Sequence, residues 1–196
     1  MGRISRRLGI VAITVVACAG MMAVAAPVAE AKTVSTSVWA KGFCSAVQDW
    51  QVRVNTARNL VEDVVTNGVP TSAVSTTSQK KIVSALDAAG KGSATAAKEL
   101  KSLGAPDVPG GPKISTTIST AVGDTADVFF DAKTAVAKAP TAAAKYQAKM
   151  KTISAKIVRD YSKAGEDVDD IEALAAGGEL DTALNAEPAC ATAGGA

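Results

Sequence analysis

The chain has 196 residues, 47% apolar but only 4% aromatic, with 21 basic and 19 acidic side chains and no histidine. The missing histidine excludes a Ser-His-Asp triad, a Cys-His pair and a His-ligated metal within this chain. Three of the basic residues fall within the first seven positions, so the slight positive excess is local and argues against nucleic-acid binding.

Those three, Arg3, Arg6 and Arg7, precede an apolar run from Leu8 to about Ala26, and Ala29-Glu30-Ala31 supplies the small-x-small pattern that signal peptidase reads. The layout predicts a signal peptide over residues 1–31, cleaved between Ala31 and Lys32. Removing three arginines and Glu30 takes 21 basic and 19 acidic residues to 18 of each, leaving a neutral domain over 32–196. Two other fates stay open. Val15-Val16-Ala17-Cys18 resembles a lipobox, with Cys18 as the lipidated residue, and the run is long enough, at roughly 20 residues, to persist as an uncleaved anchor. Beyond this segment only Cys44 and Cys190 remain. An even pair in an exported chain is expected to form a disulfide, because oxidising compartments favour one.

Helical periodicity dominates the rest. Trp39, Phe43, Val47, Trp50, Val54, Ala57, Val61 and Val64 recur at the α period, with Thr36 or Ser37 as the cap and Asn67-Gly68 before Pro70 as the stop. A second stripe runs through Ile82, Leu86, Ala89, Ser93, Ala96, Leu100 and Leu103, with Ser78 as its expected cap. Gly90 and Gly92 lie inside it, each costing about 1 kcal/mol relative to Ala in a helix. The stretch Gly104 to Pro112 reads as a loop, and Pro112 suits the first turn of a third helix carrying Ile114, Ile118, Ala121, Thr125, Val128, Ala132, Val136 and Ala139. A fourth stripe, capped by Thr141, runs from Tyr146 through Met150, Ile153, Ile157, Tyr161 and Val168 to Ala175 without losing phase at Gly165, and Gly177-Gly178 closes it. A short turn from Glu179 to Asn185 precedes the cysteine-bearing tail. No segment alternates with period two, so no strand is expected.

These segments predict an all-α domain, a four-helix up-down-up-down bundle preceded by an N-terminal signal helix. That topology brings the start of the first helix and the end of the fourth to one pole, where Cys44 and Cys190 can join. The bridge matters because an alanine-rich core buries little area per residue, at roughly 25 cal/mol per Å².

Candidate chemistry is sparse. Ser154-Ala155-Lys156 has the residue types of a serine–lysine pair but no further support. Gly90 to Thr95, GKGSAT, lacks the GK[ST] ending of a phosphate loop and follows no strand. Asp167, Asp169, Asp170 and Glu172 form an acidic cluster that fails the EF-hand pattern at Ile171, Glu172 and Gly178 and reads as a solvated helix face. Trp39 and Trp50 stand three helical turns apart on one face, as core residues or as the lining of a ligand pocket. The charge distribution is more pointed. From Ala132 to Lys163 there are eight basic residues and one acidic, and from Ala164 to Ala196 eight acidic and none basic. This split opposes the macrodipole of the fourth helix at both ends. Either neighbouring helices compensate, or the basic half meets an anionic surface such as lipid headgroups or a wall polymer, or its lysines are simply solvated.

The signal segment, the Phe43-Cys44 pair opening a helix, the Leu-Gly-x-Pro-x-x-Pro-Gly loop from Leu103 to Gly110, a terminal cysteine and heavy alanine usage together resemble small exported helical proteins and lipoproteins of high-GC Gram-positive bacteria. The resemblance implies a location and no activity. The sequence therefore points to a secreted or envelope-associated, non-enzymatic helical bundle that needs no cofactor or metal and acts through its surface on an envelope polymer, lipid headgroups or another protein. The alternatives are a carrier of a small apolar ligand between the helices and a lipoprotein anchored through Cys18.

Overall fold

A computed structural model describes residues 32–175 and 178–193, with side chains described except at 167–175 and 191–193. The predicted signal peptide, Cys18, Ala31 on the near side of the cleavage point, and Gly177 lie outside the described residues.

The described chain is all-α. A two-residue strand β1 (Thr33–Val34) leads into α1 (Thr36–Asn67); α2 (Ser72–Leu103), strand β2 (Ala105–Pro106), α3 (Gly111–Ala137), α4 (Ala143–Ala175), α5 (Glu179–Ala186) and α6 (Pro188–Ala193) follow. Each long helix packs on the next, and α4 returns to α1, so the four enclose one core. Val61 and Val64 from α1, Ile82 and Leu86 from α2, Phe129 and Val136 from α3, and Tyr146 and Met150 from α4 meet there. These are the stripe residues that the helical period selects, Phe129 excepted, which lies one position from the expected Val128.

The local signals hold with informative exceptions. α2 begins at Ser72, well before the expected cap at Ser78, because Thr71 caps it by accepting the Val74 amide at 3.3 Å. The hydroxyls of Ser75, Thr76 and Thr77 donate to carbonyls four residues back, which lets this Ser/Thr run stay helical. Ser35, not the expected Thr36 or Ser37, occupies the cap position of α1, without a side-chain bond, and the hydroxyl of Thr36 donates instead to Glu179. α4 runs unbroken through Gly165 as expected, starting at Ala143, two residues after Thr141. The expectation of no strand needs correction. β1 and β2 pair in parallel, Thr33 with Ala105 and Val34 with Pro106. Two residues per strand are too few for alternation to be visible in sequence.

Gly90 has a packing reason for interrupting an alanine-rich helix. A Cβ there would meet the Phe130 ring of α3 at 2.7 Å, so the glycine lets α2 and α3 approach closely. The GKGSAT stretch is thus helix, not a phosphate loop.

Tyr146 and Tyr161, the only tyrosines in the chain, face the core from α4. Burial pushes both phenols above their ordinary range. Arg58, lying over the Tyr161 ring 5.6 Å from its centroid, opposes that rise, and Ser78 moderates it at Tyr146, although among the described residues the Tyr146 hydroxyl has no hydrogen-bond partner. A folded-state pKa above the unfolded value leaves the fold unaffected below pH ~10 and costs stability as pH rises beyond it. Phenolate absorbance should therefore emerge later than for free tyrosine and coincide with loss of helical circular dichroism. Titration of either phenol at its ordinary pH in a folded chain would contradict this packing.

Candidate functional site

The pole where α1 begins is the most elaborated part of the molecule. Cys44, fully buried on α1, is bonded to the half-buried Cys190 of α6, with Cα atoms 5.0 Å apart, so the predicted pairing is present. Around it, Leu180 of α5 packs into a cluster with Trp39 and Ile114. Thr36 Oγ1 donates to Glu179 Oε1 at 2.8 Å, a second tie between the ends of the domain. Trp39 stacks on Phe43 with centroids 5.1 Å apart. Its indole Nε1 donates to the Gly104 carbonyl at 3.2 Å, and the same carbonyl accepts from Ser115 Oγ at 2.8 Å. Gly104 thereby joins α1, the loop and α3.

Beside this pole a cleft of about 600 Å³ opens between α2 and α3. Lys98 and Lys101 line it from α2, Lys32 from the residue before β1, and Thr116 and Thr120 from α3. Ala97 and Gly123 line it as well, and a Cβ on Gly123 would sit in ordinary contact with that of Ala97, at 3.6 Å. All three lysines are exposed, and none makes an ion pair among the described residues. The hydroxyls of Ser102, Ser115 and Ser119 donate to backbone carbonyls, whereas those of Thr116 and Thr120 donate to no described group. The cleft thus offers three ammonium groups and two free hydroxyl donors against one carboxylate, Asp124. Such a donor set suits an anion that brings several acceptors.

No protein-family model, curated protein or solved structure matches this chain.

The other sequence candidates separate clearly. Lys156 is held protonated by Asp160 at 2.7 Å and Asp131 at 3.2 Å, which raise its pKa and make it unsuited as a base for Ser154. The acidic run from Asp167 to Glu172 lies within unbroken α4, not in a loop, and its side chains are outside the described set. Among the described residues, no group of three His, Cys, Asp or Glu side chains could hold a metal ion. The two tryptophans do not share a pocket. Trp39 belongs to the pole cluster, while Trp50 lies between α1 and α2, its indole donating to Ser93 Oγ at 2.9 Å.

The cleft residues Lys32, Lys98, Lys101, Thr116 and Thr120 were not distinguishable in sequence. Lys98 and Lys101 do share a helix face by their three-residue spacing, as do Thr116 and Thr120 by four. Only the packing of α2 on α3 and the pairing of β1 with β2 bring the two faces and Lys32 together.

Proposed function

We propose that this is an exported, non-enzymatic bundle of up-down-up-down topology that acts at the cell envelope through its surface, with the α2–α3 cleft holding a strand of an anionic polymer. On this reading residues 1–31 direct export and are removed before Lys32, which becomes the first mature residue and contributes both its ammonium group and its place beside the cleft. The observation that carries the proposal is the convergence of three unpaired lysines and two free hydroxyls on one concave surface. A cleft between two helices admits a narrow strand, whereas a membrane surface would call for a flat or convex patch. The disulfide and the signal-like N-terminus support an extracytoplasmic location. Among the described residues, no helix is long and apolar enough to cross a membrane.

The test is binding of the exported chain, its N-terminus at Lys32 verified by intact mass, to poly(glycerol phosphate), with a neutral polysaccharide as control. Binding should weaken as salt rises, and the double variant K98E/K101E should lose at least about tenfold in affinity, since each lysine near an anionic surface contributes about 1 kcal/mol. Equal binding by the variant, or none by the unaltered chain at low salt, would overturn the proposal.

A further inference from the structure

Tyr146 carries a polar atom that the fold leaves unanswered. Its side chain is 0% exposed, yet among the described residues its hydroxyl has no hydrogen-bond partner. The indoles of Trp39 and Trp50, by contrast, both donate. A buried hydroxyl without a partner has given up water with no replacement. The phenol starts from α4, and its hydroxyl reaches Ser78 of α2, the helix diagonally across the bundle. Ser78 stands close enough to moderate the rise of the phenol's pKa, but the two do not bond. The Ser78 hydroxyl itself makes no hydrogen bond among the described residues.

Ser78 is half-buried and lines a groove of about 440 Å³ between the end of α1 and the start of α2, a volume in the range of small-molecule sites. Leu60 and Val64 of α1, Val69 of the turn and Val74 of α2 give it an apolar lining. Val74 is 42% exposed, among the few large apolar residues left in solvent. Lys81, three residues beyond Ser78 and so on the same side of α2, is exposed and makes no ion pair among the described residues. The carboxylate in the lining, Asp63 of α1, already accepts from Asn67 at 2.8 Å. The groove is therefore an apolar trough with an ammonium group on its rim and two unbonded hydroxyls, one behind the other, on its α2 side.

We infer that this groove binds a fatty acid, its carboxylate between Ser78 and Lys81 and its chain along Leu60, Val64, Val69 and Val74. The carboxylate accepts from the Ser78 hydroxyl and pairs with the Lys81 ammonium. Ser78 Oγ, its proton turned toward the ligand, then accepts from the Tyr146 hydroxyl, so the bound anion completes a chain that the free protein leaves open. The head group is an anion because Ser78 and Lys81 offer donors, whereas Asp63 is already engaged. The occupant is a small amphiphile and not a second copy of the chain, because the donors sit beside a narrow trough and not on a flat apolar face. The groove lies at the other end of α2 from the Lys98–Lys101 cleft, so this inference and the proposed function can fail separately.

Calorimetric titration of the purified full chain with sodium decanoate, below its micellar concentration, tests it. Saturable one-to-one binding is expected, with decanol at least about tenfold weaker for want of the charged head group. V74E, which sets a carboxylate in the trough at a helix N-terminus where it does not harm folding, should abolish binding. Y146F should weaken decanoate about tenfold. Without ligand it should melt no lower than the unaltered chain, because the hydroxyl it lacks bonds to nothing there. K98E/K101E should bind decanoate normally. No saturable binding would overturn the inference, as would a dimer abolished by V74E in a chain that takes no decanoate. Equal binding of decyltrimethylammonium, or indifference to both V74E and Y146F, would reveal surfactant adsorption only and overturn it too.

Discussion

Cys44→Ser should lower the melting temperature under oxidising conditions by about 10 to 20 °C, the largest single effect expected in this protein. The bridge closes a loop spanning 146 positions. On the chain-entropy account, constraining so long a loop in the unfolded chain is worth about 5 kcal/mol. For a domain of this length each kcal/mol shifts the midpoint by about 2 to 4 °C. The position adds a second cost, since Cys44 is fully buried and serine would bring a hydroxyl into an apolar setting. Cys190→Ser separates the two contributions, because Cys190 is half-buried and loses only the bridge. Its melting temperature should match that of the reduced unaltered chain. An unchanged midpoint for either variant in oxidised protein would show that the bridge contributes nothing. The local consequence is release of α5 and α6, and with them Leu180, from the Trp39 cluster, which tryptophan fluorescence would report.

Gly104→Ala should cost about 3 kcal/mol or more through three coupled failures at a single residue. The backbone there has φ +93° and ψ −162°, a region that only glycine enters easily. An added Cβ would collide with the Lys32 carbonyl, which accepts the Ala105 amide at 2.8 Å and anchors the β1–β2 pairing. The Gly104 carbonyl accepts from both Trp39 and Ser115, so any shift to relieve the collision disturbs α1 and α3 together. Because Lys32 precedes β1, the variant should also bind the anionic polymer more weakly. Gly110→Ala is the control. That residue also has positive φ, +78°, but nothing lies within 4 Å of a Cβ there. It should lose only the left-handed penalty of about 1 to 2 kcal/mol. Thermal melts that rank the two variants equally would remove the argument that Gly104 organises the pole.

The same residues show what could and could not be read in advance. The Leu-Gly-x-Pro loop from Leu103 marked a break between helices, but nothing local indicated that its carbonyl would be shared by Trp39, 65 positions earlier. Gly90 looked like a defect in a helix until Phe130 appeared against it. Ser78 resembled a cap because its residue type is right, and the chain used Thr71 instead, immediately after Pro70, where a four-residue turn suffices.

The sequence by itself determined that this chain is helical, where its four long helices run apart from the first turns of α2, which stripe of each faces the core, and which two cysteines are available to join. Those properties follow from the period of apolar residues and from glycine and proline punctuation, which act over a few residues and are written along the chain. Tertiary structure alone decided that Lys32, Lys98, Lys101, Thr116 and Thr120 share one cleft, that Gly104 ties three segments together, and that Gly90 faces the Phe130 ring. Each depends on the packing of one helix against another. Side chains distant in sequence become neighbours only once interhelical spacing and rotation are fixed, and no local pattern encodes those.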